Sequence, residues 1–258
     1  MQFVIKNAKK LRLFLIENLF KNEVELKLDK PIVSFTFDDF PKTAFTHGAK
    51  ILEKYNVKGT YYISFGLINS LYEIGETCSA EDVKELIDKG HDIGCHTYSH
   101  VCLKNFFALR QPHLGLKKYR EDIVKNKKAY QKITSNRNLN HFAYPHGVIS
   151  IKAKIVSGEY FKTCRSTIEG INSGILDLNS LKANNLYSAS KPIEEIISLI
   201  NKNIHQRGWL IFYTHDVSID PSPWGCNLQY FEEIVKRASE TNEVLSVDDV
   251  YRKVCMRR

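Results

Sequence analysis

IVSFTFDD, residues 32–39, is a short apolar run that ends in two adjacent carboxylates. A run of this length and composition predicts a buried β-strand. The acids Asp38 and Asp39 then stand at the carboxyl end of that strand, where α/β barrel enzymes keep their catalytic groups. The stretch therefore predicts a parallel sheet and the edge of it at which chemistry takes place.

Other short apolar or β-branched runs alternate with stretches of helical periodicity. The predicted strands are Ile32 to Phe37, Gly59 to Ser64, Asp92 to Cys95, His141 to Tyr144, Phe161 to Arg165, Lys182 to Leu186, Trp209 to Thr214 and Val244 to Ser246. The predicted helices are Thr43 to Tyr55, Ala80 to Lys89, Lys117 to Ile133, Ser150 to Ser157, Ile193 to Gln206, Leu228 to Glu240 and Val247 to Val254. This alternation predicts βα units around a mainly parallel sheet. Seven or eight such units indicate a distorted (β/α) barrel, although an open doubly wound sheet would give a similar rhythm.

Length and composition bound the number of domains. The chain has 258 residues, of which 43% are hydrophobic and 26% charged. These values are typical of a globular protein, and the length is within reach of one core. We expect a single catalytic domain over residues 31–258, preceded by an amphipathic helical extension over residues 1–30.

That extension has apolar residues at helical spacing, namely Leu11, Phe14, Leu15 and Leu19. The stripe favours a helix packed across one end of the domain. The alternative is peripheral contact with the inner face of a membrane. Charged and polar residues interrupt the apolar run, and no small-residue cleavage site follows it. We therefore expect neither a signal peptide nor a transmembrane helix. On that basis we expect a cytoplasmic protein.

The net charge of +8 could favour partners that carry phosphate. Lysines and arginines are scattered, without an arginine-rich run or an aromatic platform for bases, so nucleic acid is not an expected partner. The six cysteines form no CxxC pair and are interpreted as mostly buried, reduced thiols.

A second group of candidates lies in GHDIGCHTYSH, residues 90–100, where His96 and His100 are four positions apart. Two imidazoles at this spacing can face one ion if the backbone turns there. No Glu follows His96, so this is not the usual zinc-protease motif. Alone, such histidines are more often hydrogen-bonded structural residues, just as adjacent acids often cap a helix.

Two more strand ends carry candidates. WLIFYTHD, residues 209–216, brings His215, a candidate general acid whose ring Asp216 or another acid could orient. FAYPHG, residues 142–147, predicts a tight turn that could direct a backbone N–H at an oxyanion. If the strands form a barrel, all four groups converge on one face and make a complete set for metal-assisted amide hydrolysis.

In this order, the motifs resemble those of the polysaccharide deacetylases with a NodB-type homology domain, a family of metal-dependent carbohydrate esterases. The resemblance spans about Pro31 to Asp216. Its most specific parts are Thr36-Phe37-Asp38-Asp39 and His96-Thr97-Tyr98-Ser99-His100, supported by Tyr144-Pro145 and Thr214-His215-Asp216.

The resemblance implies that Asp39, His96 and His100 bind one divalent metal ion, often zinc. It further implies that Thr97 or Ser99 braces the histidine loop by hydrogen bonding. Three protein ligands leave a position on such an ion open, which is the arrangement of catalytic zinc sites.

The resemblance also implies the catalytic roles. Asp38 would be the general base, and His215 the general acid that protonates the departing amine. The backbone N–H of Tyr144 would be the oxyanion donor.

Two positions depart from the family pattern. Phe40 stands where a Gly often follows the Asp pair, and Phe142-Ala143 stands where an Arg near the base is common. Either the base is supported differently or Arg165 reaches it. The acid that orients His215 is left unassigned.

We expect an N-acetylated sugar as substrate. Without an export signal, a precursor on a nucleotide or lipid carrier, used in surface polysaccharide or lipopolysaccharide synthesis, is favoured over a mature wall polymer. One alternative is a deformylase or another metal-dependent amide hydrolase. Another is a non-catalytic sugar-binding barrel, which would need neither Asp38 nor His215.

Overall fold

The computed structural model describes residues 11, 14–102 and 112–256. Strands within these ranges, numbered in chain order, are β1 (Glu23–Leu26), β2 (Ile32–Asp38), β3 (Thr60–Ile63), β4 (Leu71–Tyr72), β5 (Gly75–Glu76), β6 (Asp92–Cys95), β7 (His141–Ala143), β8 (Thr163–Arg165), β9 (Gly174–Asp177), β10 (Asn184–Asn185), β11 (Trp209–Thr214), β12 (Val217–Ser218), β13 (Cys226–Asn227) and β14 (Glu243–Val244). The helices are α1 (Lys50–Lys54), α2 (Ala80–Asp88), α3 (Pro112–Ile133), α4 (Ile151–Tyr160), α5 (Ile193–Gln206), α6 (Leu228–Thr241) and α7 (Val247–Cys255). A π-helical turn at Ala44–Ala49 precedes α1, and a 3-10 turn at Pro145–Gly147 follows β7.

The main sheet has the strand order β10-β11-β2-β3-β6-β7-β8, with β14 also pairing with β2. Every neighbouring pair in it is parallel. All seven residues of β2 are buried, as its continuous apolar sequence predicts for a central parallel strand. The carboxyl ends of the strands therefore meet at one edge, and the motif residues follow those ends.

The sheet curves into an incomplete barrel. A parallel bridge between Arg165 and Leu181 joins the end of β8 to the segment that leads into β10. The helices pack outside, and the buried hydrophobic residues form two clusters, a large one between helices and sheet and a smaller one that includes Ile32, Leu181 and Trp209. The predicted fold class, a single distorted α/β barrel domain, is confirmed, and the open doubly wound alternative is not.

Each predicted strand and helix is present, with ends that differ by a few residues. The largest changes are at the helix predicted from Lys117, which begins at Pro112, and at Lys182 to Leu186, where only Asn184–Asn185 is a strand. Several helix starts follow from capping, because the side chains of Ser79, Ser150 and Ser246 accept hydrogen bonds from backbone N–H groups of the first turn.

The N-terminal extension packs differently from the prediction. Residues 14–18 are helical, but Ile16 is the buried residue, whereas Leu11, Phe14 and Leu19 of the predicted stripe are exposed. The stripe is therefore not the face that packs on the domain. After this helix, β1 pairs antiparallel with β9.

Nothing in residues 11, 14–102 and 112–256 forms a helix with the length and hydrophobicity that a membrane crossing requires. All six cysteines are free thiols, and four of them are buried, in agreement with the sequence interpretation.

Candidate metal centre

The candidate site is a cavity of ≈ 370 Å³ at the carboxyl edge of the sheet. Asp38 and Asp39 reach it from the end of β2, His96 and His100 from the segment after β6, and His215 from the residue after β11. The parallel register explains this convergence, since β2 lies between β11 and β3, and β3 lies beside β6. The structure thus brings the sequence candidates from three strand ends into one cavity.

Three buried side chains point at a common centre. The Oδ1 atom of Asp39 lies 3.0 Å from Nε2 of His100 and 3.5 Å from Nε2 of His96. Asp39, Thr97 and His100 have φ angles of 62°, 60° and 48°. Left-handed backbone is uncommon for residues other than Gly, and it clusters at functional sites. The local backbone is therefore strained where it presents the ligands.

Each histidine is held through its other ring nitrogen. Nδ1 of His96 lies 2.9 Å from the carbonyl of Ala143, and Nδ1 of His100 lies 2.8 Å from the hydroxyl of Tyr72. A carbonyl can only accept, so Nδ1 of His96 carries the proton and its Nε2 offers a lone pair. Outer hydrogen bonds of this kind fix the orientation of metal-ligating histidines.

The three side chains fit a divalent ion. Asp39 Oδ1 is buried and receives no hydrogen bond of ordinary geometry. The three ligand atoms lie within 4.8 Å of one another, and tetrahedral zinc ligands at their usual bond lengths are about 3.3 Å apart. An unpaired buried carboxylate oxygen facing two imidazoles is the donor set that a zinc-like cation takes.

Electrostatics keep these ligands in the forms that bind metal. Burial lowers the pKa of His96 to about 4, so the ring is neutral near pH 7. Burial raises the pKa of Asp39, but the contact with His100 and the positive charges that His96, His100 and His215 carry when protonated outweigh it and hold the pKa well below its usual range. A carboxylate and a neutral imidazole are both competent ligands.

Asp38 pairs with Arg165. Nη2 of Arg165 lies 2.6 Å from Oδ1 and 2.5 Å from Oδ2 of Asp38, and both side chains are buried. The guanidinium lies between the rings of Tyr62 and Tyr213, 5.2 and 4.8 Å from their centroids. Of the two explanations for the absence of an Arg at Phe142-Ala143, the structure shows that Arg165 reaches the carboxylate.

His215 is oriented by a carbonyl instead of an acid. Its Nδ1 lies 3.0 Å from the carbonyl of Trp224, and its Nε2 faces the centre, 3.8 Å from Asp39 Oδ2. The carboxylate of Asp216 instead accepts hydrogen bonds from the backbone N–H and hydroxyl of Ser222. Asp216, which the sequence offered as one of the acids that could orient His215, is instead bound within its own loop.

The sequence model described as polysaccharide deacetylase matches residues 25–159, just over half of the chain. The chain belongs to the polysaccharide deacetylase family. The matched region contains Asp38, Asp39, His96 and His100, and it ends before Arg165 and His215.

Two curated relatives align with parts of this family member. The peptidoglycan-N-acetylglucosamine deacetylase of Bacillus cereus is 32% identical over 110 residues, which are 41% of this chain and 33% of that protein. The bifunctional xylanase/deacetylase of Pseudobutyrivibrio xylanivorans is 31% identical over 72 residues, 28% of this chain and 11% of that protein. The chain thus matches a third or less of the length of these relatives.

Solved structures of the family share the fold. The peptidoglycan deacetylase PdaC of Bacillus subtilis has a TM-score of 0.57 at 15% identity, covering 90% of this chain and 95% of that one. A CE4 family pseudoenzyme from Bacillus anthracis has a TM-score of 0.58 at 13% identity, covering 88% and 68%. Identities this low establish the fold alone, and the second structure is a reminder that the family fold does not guarantee activity.

The oxyanion prediction needs a correction. The backbone N–H of Tyr144 donates to the carbonyl of Arg165 at 3.1 Å, and the tyrosine hydroxyl donates to the carbonyl of Asn179. That N–H is therefore occupied by the pairing of β7 with β8. In the same turn, the N–H of His146 has no acceptor within the described part of the chain, and His146 lines the cavity.

The histidine loop is braced by Ser99, one of the two residues named from the family resemblance. Its hydroxyl donates to Asp122 Oδ1 at 2.8 Å, and the backbone N–H groups of Tyr98 and Ser99 donate to Asp122 Oδ2. The hydroxyl of Thr97 is buried and has no partner among the described residues. Sequence reasoning missed Asp122 on α3 and Tyr72 on β4, since neither stands in a recognisable motif.

The Phe40 departure also has a structural answer. Phe40 adopts φ 58°, a conformation that favours Gly, but its ring is buried edge-on against Tyr61 with centroids 5.3 Å apart. Burial of an aromatic side chain outweighs the roughly 1 kcal/mol of backbone strain at such a position.

Proposed function

We propose that this chain is a metal-dependent N-deacetylase that hydrolyses the acetamido group of an N-acetylated carbohydrate. The observation that carries the proposal is that the imidazoles of His96 and His100 face the unpaired, buried Oδ1 atom of Asp39. Asp38 and His215 line the same cavity, as a base and an acid for this reaction should.

A divalent ion at these three residues, for which we propose zinc, would supply a Lewis acid and bring the pKa of water down to about 7. We assign the general-base role to Asp38, whose carboxylate takes the proton of the attacking water. Arg165 fixes the direction of that carboxylate, since a single guanidinium nitrogen contacts both oxygens.

We assign the general-acid role to His215. Its Nδ1–H donates to the Trp224 carbonyl, which directs Nε2 into the cavity. A proton carried on Nε2 can pass to the amine as the carbon–nitrogen bond breaks. For the oxyanion we propose the free backbone N–H of His146 in place of that of Tyr144.

The experiment is an acetate-release assay on purified protein loaded with zinc, comparing the parent with Asp38→Asn. The base role predicts that Asp38→Asn loses at least two orders of magnitude in kcat. Equal turnover by both, or binding of N-acetyl sugars without turnover by either, would instead favour a non-catalytic sugar-binding barrel. Release of formate from formamido sugars in place of acetate would favour the deformylase alternative.

For the substrate we propose an N-acetyl sugar on a nucleotide or lipid carrier, in the cytoplasm, as a precursor of surface polysaccharide or lipopolysaccharide. The net charge of +8 supports this by attracting phosphate. None of the described residues lining the cavity is Lys or Arg, so this attraction would act on the carrier outside it. Acetate release from UDP-linked or lipid-linked N-acetylglucosamine is expected, and activity only on chitin or murein would reject this substrate class.

We also propose peripheral membrane contact through the N-terminal helix, supported by the exposure of Leu11, Phe14 and Phe20. Sedimentation with vesicles of phosphatidylglycerol tests it. Phe14→Ser should lower the bound fraction, whereas Met256→Ser, which alters a similarly exposed side chain at the other end of the described chain, should not. Equal binding of all three proteins would reject this contact.

A further inference from the structure

A short hairpin stands over the metal centre. Strands β4 and β5 pair antiparallel through Leu71 with Glu76 and Tyr72 with Gly75. We call residues 69–78 the site hairpin. It lies between β3 and α2 and is outside the main sheet, so the barrel itself does not require it.

The site hairpin is fastened to the chain directly after Asp39. The N–H of Cys78 donates to the carbonyl of Phe40 at 3.1 Å, and Thr77 forms a β-bridge with Pro41. The hydroxyl of Thr77 also bonds across the base of the hairpin, to the carbonyls of Leu67 and Ser70. The hairpin base is therefore fixed relative to the segment that presents Asp39.

At the other end of the hairpin, Tyr72 meets His100. The tyrosine oxygen lies 2.8 Å from Nδ1 of His100, and the two rings are edge-on with centroids 5.6 Å apart. A tyrosine phenol is ordinarily neutral near pH 7. A neutral phenol oxygen can accept a hydrogen bond from an imidazole N–H.

The direction of this hydrogen bond sets which nitrogen of His100 is free. Nε2 of His100 faces Asp39 Oδ1, and it can bind a cation only as an unprotonated nitrogen. The proton of the neutral ring must then sit on Nδ1 and be donated to Tyr72. The carbonyl of Ala143 has the same role for His96. One ligand histidine is thus held from a barrel strand and the other from the site hairpin.

We propose that Tyr72 is a positioning residue for the metal ion: its hydroxyl accepts the Nδ1–H of His100, directs Nε2 toward Asp39, and so sets the affinity of the centre for a divalent cation. This rests on the proposed function, in which Asp39, His96 and His100 are the ligands. Because the hairpin base holds the Asp39 segment and its tip holds His100, the hairpin couples the two ligand segments.

The test measures zinc binding by metal-free protein in competition with a chromophoric chelator. Tyr72→Phe removes only the hydroxyl, and we expect it to weaken zinc binding by about 10- to 100-fold, the usual effect of losing such an outer hydrogen bond. Leu71→Ala is the matched control, since this neighbouring side chain is 85% exposed. It should bind zinc as the parent does.

Two further readouts separate positioning from general loosening of the fold. The urea midpoint of the metal-free protein should be unchanged in Tyr72→Phe, and the visible spectrum of the cobalt-substituted variant should differ from that of the parent. Zinc affinity and cobalt spectrum equal to the parent's would overturn the inference, as would an equal loss of affinity in Leu71→Ala. A parent protein that binds zinc but never releases acetate would refute the proposed function. The role of Tyr72 would still be decided by the comparison of zinc affinities between the parent and Tyr72→Phe.

Discussion

Arg165 and Asp38 illustrate how much of the site depends on single contacts. Their carboxylate and guanidinium are both buried, so each requires the other to avoid an unpaired charge in a low-dielectric environment. The pair also fixes the carboxylate that we propose as the base.

We therefore expect Arg165→Lys to lower kcat/KM for acetate release by about 100-fold, or roughly 3 kcal/mol of transition-state stabilisation. A lysine ammonium keeps the charge but lacks the planar guanidinium that contacts both oxygens and stacks on Tyr62 and Tyr213. Steady-state kinetics measure this, with Arg137→Lys on the exposed surface as control. A change below twofold would contradict the role of Arg165.

His91 gives a prediction for pH dependence away from the metal centre. Its side chain is fully buried, and its Nδ1 accepts the N–H of Gly59. Burial and the charge of Lys58 lower its pKa to about 4, from about 6.5 in an unfolded chain. Between these pH values the unfolded chain binds a proton that the folded chain does not. The contribution of His91 to the free energy of unfolding is therefore fully present above pH 6.5 and is lost as the pH falls toward 4.

On this account, the parent loses about 2 kcal/mol more of its unfolding free energy between pH 7 and pH 5 than His91→Asn does. Asn retains an acceptor for the Gly59 N–H but does not titrate. Urea denaturation of the metal-free proteins at both pH values checks this. Equal losses in the two proteins would show that His91 is not the group responsible.

At the residue scale, the sequence predicted the groups that stand in motifs at strand ends, namely Asp38, Asp39, His96, His100 and His215. It named Arg165 only as one of two options for supporting Asp38, and it did not predict Tyr72 or the carbonyl of Trp224, because these groups become neighbours only when the chain folds. The contact of Arg165 with Asp38, for example, joins residues 127 positions apart.

At the scale of elements, a buried lysine joins three segments. Lys154 on α4 donates to the carbonyls of Ile16 and Leu19 at 2.6 and 2.8 Å, and its Nζ lies 2.5 Å from Asp177 Oδ2 on β9. These bonds satisfy free carbonyl groups at the end of the N-terminal helix and hold β9, the strand that pairs with β1.

We expect Lys154→Met to lower the unfolding free energy by about 3–5 kcal/mol, since it leaves one oxygen of the half-buried Asp177 carboxylate and the carbonyls of Ile16 and Leu19 without their donor. Urea denaturation measures the change. Lys152→Met, on the exposed side of the same helix, should stay within about 0.5 kcal/mol of the parent. A loss below 1 kcal/mol in Lys154→Met would show that this lysine does not anchor the extension.

The strands of the main sheet and the long helices could be predicted, whereas the small two-stranded sheets could not. Helices of two or more turns and central strands such as β2 and β11 have clear periodicity or continuous apolar runs. The pairs β1 with β9, β4 with β5 and β12 with β13 have only two to four residues per strand, which is too short for a pattern. The buried face of the N-terminal helix was also missed, because it depends on the hydrogen bonds that Lys154 donates to the carbonyls of Ile16 and Leu19.

For the whole molecule, the parallel sheet explains why motifs far apart in sequence form one site. Parallel strands place all their carboxyl ends at one edge, so residues that follow different strands can meet in one cavity. That rule allowed both the fold and the position of the site to be predicted. The positive charge, in contrast, gave no guide to the cavity, because no lysine or arginine among the described residues lines it.

The central claim is that Asp39, His96 and His100 hold one divalent cation at that edge. Anomalous X-ray diffraction at the zinc absorption edge, from crystals of the full chain grown with zinc, tests it directly. We predict one strong peak about 2.0–2.2 Å from Asp39 Oδ1 and from Nε2 of both histidines. The absence of a peak there, or a peak ligated by other residues, would contradict the account.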